Sequence, residues 1–521
     1  MKQWLKTNRG RLHALGILLL CLVLLSVILL NSLVGKLAKR YSWYSYLTAS
    51  PDYGVSEECY ALLDRSLGAD ARPVTILFLR DRDTIYADRN LRYILETAES
   101  LAARYEKITV LFADLVESPD ALRKYSFVKD ARTGKTALDE AGNPKTRALY
   151  ESSVILSSGD YYRVYDIEEF FSFEDGDLSK VYAYAGEVKL AAGLLHAQRD
   201  DAPLALLTNN HGETFYDYEL IYLLDDAGYA VDYIDLSKEE IPASCNLILT
   251  YNPNTDFLDS DGNRASETDC LKDFLSTPGN HFLLFAESGT PRLASLESFL
   301  LQYGVSFSYS ASSEDPDKTY RYSVKDDSMT LTSDGYTIYG LAKSSLLDGV
   351  KGGAVFKNAT EIRVASGFVN RGNGRYEKAN MTLSALYTSG ERAEAFAGGK
   401  QVGAGESILA TLTEVDLGSG SSFVSVFAST SFGEGAYLQS AVYANRDVLL
   451  RLCSLFGAGE TPEGLTVKPF SSDRMSLVTI REKLLWTVGL VSLPILVCGI
   501  LAPVILIRRK NKIEPSDRKE S

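Results

Sequence analysis

Between about residues 200 and 310, short apolar runs alternate with amphipathic stretches, and that rhythm restricts the fold more than any other feature of the chain. APLALLT (202–208), YAVDYIDL (229–236), CNLILTYNP (245–253) and HFLLFAE (281–287) read as strands, most of them apolar enough to be buried on both faces. FYDYELIYLLDDAG (215–228), ETDCLKDFLST (267–277) and PRLASLESFLLQYG (291–304) space their apolar residues at helical intervals. Strands joined through helices form parallel pairs with right-handed crossovers. The α/β expectation is therefore a doubly wound parallel sheet over 200–310.

The flanks read differently. PVTILFLRD (73–81), DRNLRYILETAESLAARYE (88–106) and KITVLFADL (107–115) make a strand–helix–strand unit. SSVILSSGDYYRVYDI (152–167) reads as a hairpin turning at Ser158, Gly159 and Asp160. Together they outline a small thioredoxin-like α/β domain without that fold's cysteines, and the polar stretch 129–148 reads as a loop within it. A helix is expected over 186–196. Past about 305, runs such as SILATLTEV and SSFVSVFAST are broken by Gly, Ser and Asp and read as β structure, an insertion before a returning helix at RDVLLRLCSLFG (446–457).

Two uncharged apolar runs, 14–35 and 484–507, are long enough at about 1.5 Å per residue to cross a hydrocarbon layer of about 30 Å. The first is longer than the apolar core of a signal peptide and no small-x-small cleavage site follows, so an uncleaved anchor is expected. Lys2, Lys6, Arg9 and Arg11 before the first run, and Arg508, Arg509, Lys510 and Lys512 after the second, favour cytoplasmic termini. The expected layout is a cytoplasmic N-terminus (1–13), a transmembrane helix (14–35), a membrane-proximal thioredoxin-like domain (36–180) and a doubly wound domain (181–310). A β-rich insertion (311–420), a return to the α/β domain (421–465), a linker (466–483), a second transmembrane helix (484–507) and a cytoplasmic tail (508–521) complete it. The expected localisation is the cell membrane, with the large domain extracytoplasmic and membrane lipids around the helices.

The chain carries a net charge of −14 while both ends are basic, so the part between the apolar runs is strongly acidic. No basic stripe offsets it, which argues against nucleic acid as a partner. Cys59, Cys245, Cys270 and Cys453 lie between the runs without a CxxC, so a zinc or thioredoxin-type redox centre is not expected; buried free thiols are, with Cys245–Cys270 the pair to oxidise if any does.

The stretch LTNNHGETF (207–215) holds one of four histidines and leaves the end of an expected strand, where ligands bind in doubly wound sheets. Asn209, Asn210 and Gly212 tolerate positive φ, and backbone amides there can converge at a helix N-terminus capped by Glu213 or Thr214. With His211 and Glu213 they form a candidate ligand cradle, to which Asn252 and Glu287 at the ends of later strands are added. The competing reading is a tight strand-to-helix turn with His211 packed over its neighbours. No G-x-S-x-G elbow, HExxH or phosphate-binding lysine loop occurs, so no catalytic residue, metal site or cofactor is assigned.

YAGEVKLAAGLLHAQRDDAPLALLTNNHGE (184–213) resembles the GE-helix-strand-TGHGE signature of auxiliary proteins of gliding-motility-type ABC transporters (GldG-like). The segments 241–261, 267–285, 301–304 and, loosely, 425–432 and 443–452 fit the same pattern. Asn210 stands where that family has glycine, and Pro278, Gly279 and Asn280 replace its glycines before the last strand. The resemblance implies an amidotransferase-like α/β domain without the catalytic cysteine, placed beside an ABC permease. The expected function is a non-catalytic, membrane-anchored accessory subunit of an ABC-type transport system. Its partners would be permease and ATPase subunits, with an envelope polymer or small ligand bound outside. The alternative is an ectoenzyme acting on envelope glycan or peptide at the NHGE rim.

Overall fold

The computed structural model describes residues 54–68, 70–173, 181–215, 218–260, 266–311, 319–470 and 488. Its first helix, α1 (Glu57–Ser66), is started by Ser56, whose Oγ accepts from the Cys59 amide, and has Glu57 and Glu58 in its first turn and Arg65 in its last. Each end thus carries the charge that the helix dipole favours.

Strand β1 (Val74–Phe78) leads through α2 (Arg82–Ala87) and α3 (Arg89–Arg104) to β2 (Ile108–Phe112). Asp81 and Asp88 cap the two helices through the amides of Thr84 and of Asn90 and Leu91. Leu91, Ile94, Leu95, Ala98 and Leu101 line one face of α3 and are buried. Strands β3 (Val154–Ser158) and β4 (Tyr161–Tyr165) form a hairpin whose turn uses Gly159 at φ +59°. The sheet order is β2-β1-β3-β4, parallel only between β1 and β2. Between β2 and β3, Arg132 reaches away to Asp232 (2.6 Å), Glu239 (2.8 Å) and the Tyr233 carbonyl (2.6 Å), fixing its loop against a second sheet.

Strand β5 (Phe171–Phe173), β6 (Val181–Tyr184) and the two-residue strand Lys468–Pro469 form a small sheet. Helix α4 (Gly186–His196) follows, and every one of its residues is buried. Its apolar side chains join the core of the first sheet, while Glu187, Lys189 and His196 each find a polar partner.

The second sheet is built from β7 (Leu204–Thr208), β8 (Ala230–Ile234), β9 (Cys245–Tyr251), β10 (His281–Phe285), β11 (Thr337–Ala342), β12 (Ala354–Lys357), β13 (Met381–Thr388), β14 (Ile408–Asp416) and β15 (Ser421–Phe427). They lie in the order β12-β11-β13-β14-β15-β10-β9-β7-β8, the central path of a 13-stranded sheet. Strands β8, β7, β9, β10 and β15 run parallel, and the rest are antiparallel. Ala205 and Leu207 of β7 face one core layer with α5 (Glu219–Ala227) and α8 (Asn445–Cys453). Leu204 and Leu206 face the other, with α6 (Glu267–Leu275) and α7 (Ala294–Gln302). Period-two alternation thus supplies two cores from one apolar run.

This architecture corrects the expected fold class. The protein has a mixed α/β fold with several sheets, and the strands expected to form a β-rich insertion continue the sheet that was expected to be purely parallel. The physical reason is β15: it pairs parallel with β10 and antiparallel with β14, so it joins the two halves. The transmembrane helices expected at 14–35 and 484–507 lie outside the described residues, Val488 excepted. Among the described residues no helix is long and apolar enough to cross a membrane. The longest, α3, has 16 residues and one polar face. The membrane-anchored description, the extracytoplasmic placement of the large domain and the cell-membrane localisation rested on those two helices and are withdrawn with them. All four cysteines considered above are free thiols, three buried and Cys270 half-buried.

Candidate functional site

Strand β7 ends at Thr208, and the chain turns through Asn209 to Glu213 at the carboxyl edge of the parallel strands. Of the three residues expected to accept positive φ, Gly212 alone does so, at +70°. No helix starts there. Helix α5 begins at Glu219, and Phe215, expected to open it, instead stacks on Tyr251 with ring centroids 4.8 Å apart. Glu213 therefore caps no helix. Its carboxylate turns back, accepting from the His211 amide (2.8 Å) and the Thr208 hydroxyl (2.5 Å).

His211 is held on both sides. Its Nδ1 lies 3.1 Å from Glu213 Oε1 and its Nε2 2.9 Å from Glu267 Oε2, with side chains only 1–2 % exposed. Its ring stacks on Phe257 at 3.9 Å and 5°. Asn254 and Thr255 donate their amides to the His211 carbonyl, at 2.7 and 2.9 Å. Asn254 Nδ2 donates to the Gly212 carbonyl at 2.7 Å. Glu267, the first residue of α6, accepts from Asn210 Nδ2 (2.6 Å) and from the Leu258 amide (2.6 Å). Each of the four carboxylate oxygens therefore has a donor.

Burial works against charge on His211, but the hydrogen bonds and fields of Glu213 and Glu267 outweigh it and raise its pKa to about 9. Burial also disfavours both carboxylates, yet their hydrogen bonds, first among them those from His211, leave them below the usual range. The cluster is a buried carboxylate–imidazolium–carboxylate triad in which both ring N–H groups donate. Such a ring has no lone pair with which to accept a proton.

Asn209 is exposed, with its amide donating to the Ile234 carbonyl of β8. Asn210 is half-buried, and its Oδ1 has no partner. Asn252 and Glu287 belong to a second cluster. The Thr290 hydroxyl donates to Asn252 Oδ1 (2.9 Å) and accepts from the Glu287 amide (2.9 Å), while Glu287 Oε2 accepts from Thr430 (2.7 Å). Asn252 takes φ +49° there. Sequence reading missed Glu267, Thr208 and Phe257. A signal for Glu267 exists in Ser266, a helix cap followed by an acidic first turn, but nothing in the spacing ties it to His211. Among the described residues no group of three or more His, Cys, Asp or Glu is arranged to hold a metal ion.

No family model and no curated protein matches the chain. Among solved structures it is similar to cytoplasmic protein STM1381 from Salmonella typhimurium LT2 at 12 % identity and a TM-score of 0.27, over 49 % of this chain and 98 % of that one. A likeness of that size carries no argument about fold or function.

Proposed function

We propose that the chain is a non-catalytic accessory subunit of an ABC-type transport system, working by holding a partner or cargo. One observation supports the non-catalytic role. The only histidine on the candidate rim spends both ring nitrogens on buried carboxylates, so the motif acts as a clamp joining the ends of β7 and β9 to α6. A substrate would have to break the triad to reach the ring. The pattern over residues 184–213 supports the transport assembly, with permease and ATPase subunits as partners and a small ligand as a further one.

Affinity purification of the tagged full-length chain from solubilised cells, followed by quantitative mass spectrometry, tests this reading. Recovery of an ABC ATPase and a permease at a fixed ratio is the expected result. Recovery of the chain alone, under conditions that preserve known transport complexes, overturns it.

A further inference from the structure

A sheet edge presents backbone groups with no ladder partner, and three edge strands of this protein are stopped by side chains. On β8, Arg132 Nη2 donates to the Tyr233 carbonyl (2.6 Å). On β12, Asn445 engages both the amide and the carbonyl of Val355 (2.8 and 3.1 Å), and Ser431 Oγ accepts from the Lys357 amide (2.9 Å). On β4, Arg147 Nη1 donates to the Val164 carbonyl (3.0 Å). Strand β2, the other edge of the four-stranded sheet, has no such stop among the described residues.

The Val74 amide donates to the Lys107 carbonyl (2.8 Å) and the Ala113 amide to the Phe78 carbonyl (2.9 Å), so the backbone of Lys107 and Ala113 faces β1. Backbone groups alternate sides along a strand, so those of Thr109 and Leu111 face β1 as well. Val110 and Phe112 therefore turn N–H and C=O outward, where no described residue meets them. The Ile108 amide is already used, donating to the Tyr105 carbonyl (2.9 Å). The strand, ITVLF, carries no charge and no proline, the devices that usually protect an edge. Leu111, paired with Leu77 of β1, is 48 % exposed, and Val110 and Phe112 are half-buried.

We infer that β2 pairs with β2 of a second copy of this chain, antiparallel about a two-fold axis, joining two four-stranded sheets into one. The outward groups select the register. Val110 opposite itself would set Glu106 against Asp114, two like charges. Phe112 opposite itself would set Val110 against Asp114, whose carbonyl already accepts from the Ser118 amide (3.0 Å), and Thr109 opposite itself would meet the used Ile108 amide. Leu111 opposite itself alone matches Val110 to Phe112 with every outward group of both exchanged. No charged residue then lies opposite another, since Glu106 faces Val116, Lys107 faces Leu115 and Asp114 faces Ile108. On a chain of net charge −14, this uncharged strand lets two copies approach without opposed carboxylates. The half-exposed Leu111 of each copy is covered by the other's. The inference stands apart from the proposed transport role, since association is measured on the purified chain.

The test is sedimentation equilibrium of the full-length protein, with disulfide trapping. The wild type is a dimer with Kd below about 100 µM, the strength of a small contact. L111K sets like charges opposite each other at a half-exposed position and is monomeric with unchanged far-ultraviolet dichroism. In a C270S background, L111C links into a covalent dimer on mild oxidation, because Cα atoms about 4.5 Å apart in a non-hydrogen-bonded pair are within disulfide reach. T109C, opposite Ala113, does not link. If L111K does not fold, the two cysteine variants carry the test. A wild type that is monomeric at about 100 µM, a dimeric L111K, or equal linking of L111C and T109C overturns the assignment.

Discussion

Replacing His211 by alanine isolates what the buried triad contributes. Holding the imidazolium protonated to about pH 9 instead of 6.5 is worth ~2.5 kcal/mol at pH 7. Removing a ring that stacks on Phe257 at 3.9 Å adds ~1–2 kcal/mol of lost packing. The sum, about 4 kcal/mol, falls in the range for breaking a buried ion pair from one side. The sign of the pH dependence follows from the raised pKa. The His211 contribution is full below about pH 6.5 and is lost as pH rises through about 9. The depressed pKa values of Glu213 and Glu267 act oppositely, supplying stability above the ordinary glutamate value of 4.5 that is lost as pH falls. Urea unfolding of wild type and H211A at a series of pH values is the assay. The gap is widest at about pH 5–6, between the ordinary glutamate and histidine values, is already reduced at pH 7 and closes toward the packing contribution alone by about pH 10. A gap below about 1 kcal/mol at pH 7, or one that does not change between pH 7 and 10, would refute the assignment of a charged, doubly held ring.

Three further outcomes follow from other sites. In G186A the new methyl group would fall within the Tyr184 ring, whose hydroxyl donates to the Tyr93 carbonyl, so a change that often helps a helix instead costs about 1–3 kcal/mol in a urea melt. D226A leaves Lys189 and Arg446 buried without their shared carboxylate and costs about 3–5 kcal/mol by the same measure; a loss under 1 kcal/mol would mean that the cations relax to solvent. Burial pushes the thiols of Cys245 and Cys453 up to about 12 and raises that of Cys59, whereas Cys270 is half-buried. Brief alkylation of the native protein at pH 8 followed by peptide mapping therefore labels Cys270 ahead of the other three.

The individual elements were more legible than their assembly. A strand read at 73–81 is found at Val74–Phe78 and one read at 281–287 at His281–Phe285, because fully buried strands leave a run of apolar letters that solvent-facing ones do not. The Gly159 turn was legible because few residues accept its backbone angle. Strand β15 was not. Its buried Ser422 and Ser425, with Thr411 and Thr413 on β14 beside it, give a polar texture that reads as a surface sheet, yet all four are fully enclosed. The ladder satisfies their backbone groups and Thr413 donates to the Tyr303 carbonyl at 2.8 Å, but the hydroxyls of Thr411, Ser422 and Ser425 are buried without a hydrogen-bond partner, which composition does not anticipate. The parallel pairing of residues 281–285 with 423–427 spans too much chain for any local pattern to reveal.

The NHGE turn shows why naming a motif's residues falls short of naming its chemistry. His211, Gly212 and Glu213 were visible as unusual letters at a strand end, and Glu213 beside His211 is compatible with a base and its orienting carboxylate. The decisive partner is Glu267, 56 positions away, because a second carboxylate on Nε2 changes the ring from a proton acceptor into a fixed cation. The helix start was misplaced for a related reason. Phe215 has the apolar character that a helix needs, but its ring is used on Tyr251, and the four-residue delay before Glu219 frees Glu213 to turn back on His211. Had α5 begun at Phe215, Glu213 would have faced the helix amides and the turn could have presented an open anion cradle. The same residues at the same strand end thus build either a binding loop or a clamp. What separates the two is a contact across the sheet edge that sequence spacing does not encode.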